Sequence, residues 1–82
     1  MSNYIGISEL DQIYNDAVGK DAAGNPQANV NTLGPVGACI AVTYGNPDQC
    51  RELRKGECDY VDAQLKKKQA GKADWQKGHC PI

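Results

Sequence analysis

Four cysteines and the single histidine are the residues whose types carry the most chemistry: Cys39, Cys50, Cys58, Cys80 and His79. Three uses suit such a set. Paired thiols form disulfides, thiolates with an imidazole hold zinc, and a thiol beside an imidazole acts as a nucleophile with its base. Intervals of ten, seven and twenty-one residues separate the cysteines, so there is no C-x-x-C knuckle. His79 and Cys80, adjacent in the chain, are awkward joint ligands of one metal. The same adjacency argues against catalysis, because nucleophile and base normally come from distant segments. Asp59 and Asp62 are spaced to share a helix face but have no metal partner or cleft, and neither a Gly-rich phosphate loop nor a calcium loop occurs. The expectation is a chain with no catalytic residues, no metal and no cofactor, hence no enzyme. Disulfides among Cys39, Cys50, Cys58 and Cys80 are the preferred use, and free buried thiols compete.

Composition supports the disulfide reading. A chain of 82 residues with no Phe, one Met and one Trp has a thin apolar supply, and small domains of this kind gain from covalent links. The start, Met1-Ser2-Asn3-Tyr4, lacks the basic, apolar and small-residue pattern of a secretory signal. Localisation stays open on these grounds: extracytoplasmic with a leader removed if the cysteines are oxidised, cytoplasmic if they are not.

Partner chemistry is bounded by charge. Residues 1–46 hold one Lys against four acids, and residues 47–82 hold eight Lys and Arg against six acids. Glu52, Glu57, Asp59 and Asp62 interleave with Arg51, Arg54, Lys55 and Lys66 to Lys68, which reads as pairing within a helix and not as a nucleic-acid footprint. No apolar stretch approaches the roughly 20 residues of a membrane span. Tyr44, Tyr60 and Trp75 are the candidate contact residues, since Tyr and Trp recur at binding hot spots.

These residues must be positioned by short elements. Ser8 reads as an N-cap, followed by Leu10, Ile13, Tyr14, Ala17 and Val18 at helical spacing, with Gly19 as the stop. Residues 20–34 read as a long loop. The run from Pro35 to Tyr44 is ambiguous: its β-branched residues favour a strand, while Pro35 and Gly45 bracket it as a helix. It is read as helix because the available partner strands, residues 4–7 and 30–33, are weak. Asn46-Pro47-Asp48 reads as the start of a third helix running to about residue 69, with Cys50, Leu53, Cys58, Tyr60, Val61 and Leu65 in one arc. One further turn around Trp75 and a tail at 72–82 complete the chain.

The resulting expectation is one small all-α domain of three or four helices with a helical hairpin stapled by two disulfides; a small α+β domain with a short sheet around residues 36–44 is the alternative. On a single helix Cys50 and Cys58 lie about 12 Å apart along the axis, beyond disulfide reach. The hairpin then favours Cys39–Cys50 with Cys58–Cys80. The functional expectation is a non-catalytic protein-binding module of the inhibitor, immunity, accessory or assembly kind, its partner another protein. A cytosolic regulator with free thiols, nucleic-acid or phage related, is the alternative, and the setting expected is bacterial or phage.

Overall fold

A computed structural model describes residues 3–81. The all-α expectation is wrong: the described residues form two helices and a three-stranded antiparallel sheet. In chain order they are α1 (Ile7–Ala17), a 3-10 turn (Val30–Leu33), β1 (Val36–Thr43), β2 (Gln49–Arg54), α2 (Lys55–Lys67) and β3 (Gly71–Lys77). The strands lie in the order β2-β1-β3, with β1 in the centre.

Helix α1 forms where its spacing predicts. Leu10, Ile13, Tyr14 and Ala17 are buried along one stripe, and Glu9 sits in the first turn where the dipole favours an acid. The cap differs from expectation, because the helix already begins at Ile7 and Gly6 occupies the N-cap with no side-chain bond. Ser8 therefore lies inside the first turn. The chain leaves through Val18 and Gly19, and residues 20–34 are a loop with order of its own. Asp21 accepts from the backbone of Ala23 and Asn25 and from Gln27, and Lys20 bridges to Pro26.

The segment 36–43 is a strand, so the β-branched side chains decide it and the bracketing Pro and Gly do not. Its apolar side chains fall on both faces of the sheet, so the strand reads as a nearly continuous apolar run in place of alternation. Its partners are not the two short segments expected from sequence. Cys39 pairs with Arg51 in β2 and with Trp75 in β3. Asn46-Pro47-Asp48 makes the β1–β2 turn and not a helix start; the Asn46 amide donates to the Ile5 carbonyl at 2.6 Å. The expected third helix is cut at Arg54, its first part being β2. Residues 71–77, expected as a helical turn and tail, are β3.

What starts α2 at Lys55 is a buried carboxylate. Glu57 accepts from the Arg54 amide at 2.7 Å with one oxygen and from the Gly19 amide at 2.6 Å with the other, so one side chain closes the helix start and fixes the exit from α1. Both helices pack on one face of the sheet. Tyr14 of α1 lies over β2, its hydroxyl 3.4 Å from the carbonyls of Cys39 and Gln49, with the Arg51 guanidinium stacked on its ring at 4.7 Å. Burial pushes the Tyr14 hydroxyl up to about 12. Helix α2 lies toward β3, where Asp62 accepts from the Ala73 amide at 2.9 Å. Leu10, Val61, Leu65 and Cys39 are among the fully covered side chains of the core between these layers.

All four cysteines are oxidised, in a pairing other than the one expected. Cys39 bonds Cys58, tying β1 to α2, and Cys50 bonds Cys80, tying β2 to the tail. The reason is pleat parity. Cys39 faces Arg51 in the register while Cys50 faces Ile40, so the two point to opposite faces of the sheet and cannot join.

Candidate functional site

Because both helices lie on the face that carries Cys39, Ala41, Leu53 and Ala73, the register leaves the other face without a helix. Down the centre of that face run Val36, Ala38, Ile40 and Val42, and Tyr44 follows in the turn just past the strand end. Arg54, Glu52 and Cys50 border this row from β2, and Gln76, Asp74 and Lys72 border it from β3. Val36 is 54 % exposed, Val42 37 % and Tyr44 47 %, whereas Ala38 in the middle of the row is fully buried. Lys72 pairs with Asp74 at 3.4 Å, and the His79 Nδ1 lies 3.3 Å from a Glu52 carboxylate oxygen, so the border is polar and charge-balanced.

At the Tyr44 end the face runs into a groove of about 510 Å³ lined by Val42, Thr43, Tyr44, Lys66, Gln69 and Lys72. Lys66 is held by Asp62 at 3.0 Å and Lys68 by Glu9 at 3.3 Å. Lys55 pairs with Asp59 at 2.7 Å, one helical turn away, so Asp59 and Asp62 pair within α2, whereas Arg51 and Lys68 reach Asp11 and Glu9 of α1. Asp62 does more than sit in solvent, since it also holds the Ala73 amide at the edge of β3.

The expected contact residues divide between the two sides. Tyr44 is exposed and lines the groove beside Val42 at the end of β1. Tyr60 is half-buried in α2, with Gly24 against its ring and the Lys20 ammonium 5.8 Å from its centroid; it holds the 20–34 loop to the helix. Trp75 is half-buried on the helical face, its ring laid across Gly37 so that the indole N–H donates to the Leu53 carbonyl of the far strand at 3.1 Å. Cys80 is disulfide-bonded and offers no thiol to His79. Among the described residues no three His, Cys, Asp or Glu side chains converge as metal ligands, and no helix is long and apolar enough to cross a membrane.

Sequence reasoning missed Val36, Ile40 and Val42. Their signal was present as an apolar run too regular on both parities for a surface strand, and it was read as a helix. No protein-family model matches the chain, and neither a curated protein nor a solved structure is significantly similar to it.

Proposed function

We propose that this chain is a non-catalytic protein-binding module that engages another protein through the open sheet face. The observation that carries the reading is the exposure of Val36 and Val42 in one row on the side away from both helices, with the exposed Tyr44 just beyond its end. β-Branched side chains left in water contribute little to folding, and apolar area of this kind gains about 25 cal/mol per Å² when a partner covers it. An apolar row bordered by Lys72, Asp74, Glu52 and Arg54 has the composition of a protein interface, with an apolar centre, a polar rim and a Tyr anchor at one end. Inhibitor, immunity, accessory and assembly proteins all act by such contact.

The test is a photo-reactive side chain placed at Val42 in the full chain, activated in extract of the native host. The expected result is one discrete adduct that unlabelled wild-type chain competes away and that Val36→Asp abolishes. A matched probe at Val18, exposed just past the end of α1, gives no such adduct. Equal labelling from Val18 and Val42, or an adduct indifferent to Val36→Asp, removes the open face as the binding surface.

A further inference from the structure

Ala38 poses a question. It lies on the open face, between Glu52 of β2 and Gln76 of β3, with no helix on that side, yet it is fully buried while Val36 and Val42 in the same row are not. The path of the chain supplies the cover. Strand β3 ends at Lys77, opposite Gly37, and Cys80 is bonded to Cys50, opposite Ile40 on the far edge strand. Residues 78–80 therefore cross β1 from one edge of the sheet to the other, on the face to which Cys50 points. Gly78, at φ 101°, makes the turn that brings the chain over the sheet, a conformation other residues rarely adopt. His79 then meets Glu52, the next open-face residue of β2.

We propose that this carboxy-terminal strap is a redox-released cover over the binding face. Two observations carry it. Among the described residues the strap has no backbone hydrogen bond to the rest of the chain; its ties are the Cys50–Cys80 disulfide and the exposed His79–Glu52 contact. The two disulfides also differ in access. Cys39 and Cys58 are 0 % and 1 % exposed within the core, whereas Cys50 and Cys80 are half-buried at the surface. A thiolate reaches the outer bond first, since exchange requires in-line approach to a sulfur.

In that step one thiolate of a dithiol reductant attacks the Cys80 sulfur and the S–S bond breaks. Cys50 leaves as a thiolate and takes up a proton. The second thiol of the reductant then displaces Cys80 as a thiol and closes the reductant's own disulfide. Two electrons pass to the protein and the dithiol is oxidised. The strap, now tied only by His79 and Glu52, lifts away. Ala38 and Ile40 join Val36 and Val42 in one uninterrupted row, so the oxidised chain presents the face in two halves and the reduced chain presents it whole. The regulatory sense of this device rests on the binding function proposed above; the motion of the strap does not.

The experiment uses the folded full chain exposed to graded dithiothreitol, alkylated without denaturation and mapped by peptide mass. Carbene footprinting of the same samples follows residues 36–42. The expected result is alkylation of Cys50 and Cys80 while Cys39–Cys58 stays intact, with labelling of 36–42 rising and that of α1 unchanged. Cys80→Ser gives the same footprint without reductant. Reduction of Cys39–Cys58 first or together with the outer bond, or an unchanged footprint after selective reduction or in Cys80→Ser, overturns the proposal. A raised footprint with no adduct from Val42 sinks the binding function and leaves the strap standing. An adduct with an unchanged footprint does the reverse.

Discussion

At the scale of single residues, the Tyr14 hydroxyl couples folding to alkaline pH. In the unfolded chain the phenol ionises near pH 10. In the folded chain burial holds it up to about 12, although the adjacent Arg51 guanidinium pulls the other way. Between those values the unfolded chain has released a proton that the folded chain still holds, so stability falls as pH rises through the window. From pH 10 to 12 the wild type is expected to lose about 2 kcal/mol more than Tyr14→Phe. Urea unfolding of both proteins at the two pH values measures this difference, and matched slopes would place the ionisation elsewhere. The long hydroxyl contacts, 3.4 Å to each carbonyl, make the phenylalanine variant itself only modestly less stable at neutral pH.

Among the elements, the crossing of Trp75 over Gly37 is a point where one methyl group matters. A Cβ at residue 37 would lie 2.6 Å from the indole ring and against the Gln76 carbonyl, so the ring would have to leave the Leu53 carbonyl or β3 would have to shift. Gly37→Ala is expected to cost about 1–3 kcal/mol, the range for overpacked cores. A red shift of tryptophan emission should accompany it, and unchanged emission with unchanged stability would show that the ring has room. This crossing also explains what the sequence conveyed and what it did not. Helix α1 was legible because its apolar residues recur on one stripe and the polar ones on the other. Strand β1 was not, because its two faces are apolar for different reasons: Cys39 and Ala41 meet the helices, while Val36, Ile40 and Val42 form the open row. Strands β2 and β3 are edge strands whose side chains, including Arg51, Glu52, Lys72 and Asp74, resemble a solvated helix. Their pairing is stated only by the three-dimensional register. The open face was correspondingly hidden. Of the three aromatic residues proposed from sequence, Tyr44 lies at its end beside Val42, and Tyr60 and Trp75 hold a loop and a strand.

For the whole molecule, the thin core is supplemented by the two disulfides. Spans of 19 and 30 residues correspond to about 3.2 and about 3.6 kcal/mol in the chain-entropy account, a difference of only about 0.4 kcal/mol in favour of the outer link. Location outweighs that difference. Replacing Cys39 and Cys58 by Ala empties space at the centre of the core, which adds about 1 kcal/mol or more, whereas Cys50 and Cys80 leave no such void. Cys39→Ala with Cys58→Ala is therefore expected to lower the melting temperature further than Cys50→Ala with Cys80→Ala. The opposite order in calorimetry would mean that loop length alone governs.

The two links also interleave, in the order 39, 50, 58, 80, so that each closes across one end of the other. Cutting any single peptide bond between Cys39 and Cys80 leaves the chain in one covalent piece, because at least one bridge spans the break. A protease acting there adds the mass of a water molecule and frees no fragment until the bridges are reduced. Before Cys39 no bridge spans anything. A single cut in the 20–34 loop would leave α1, which contributes Leu10, Ile13 and Tyr14 to the core, as a separate peptide seated by packing, hydrogen bonds and ion pairs with no covalent tie. The amino-terminal helix is thus the one layer that can be exchanged for a synthetic copy while the sheet, α2 and the strap remain one molecule.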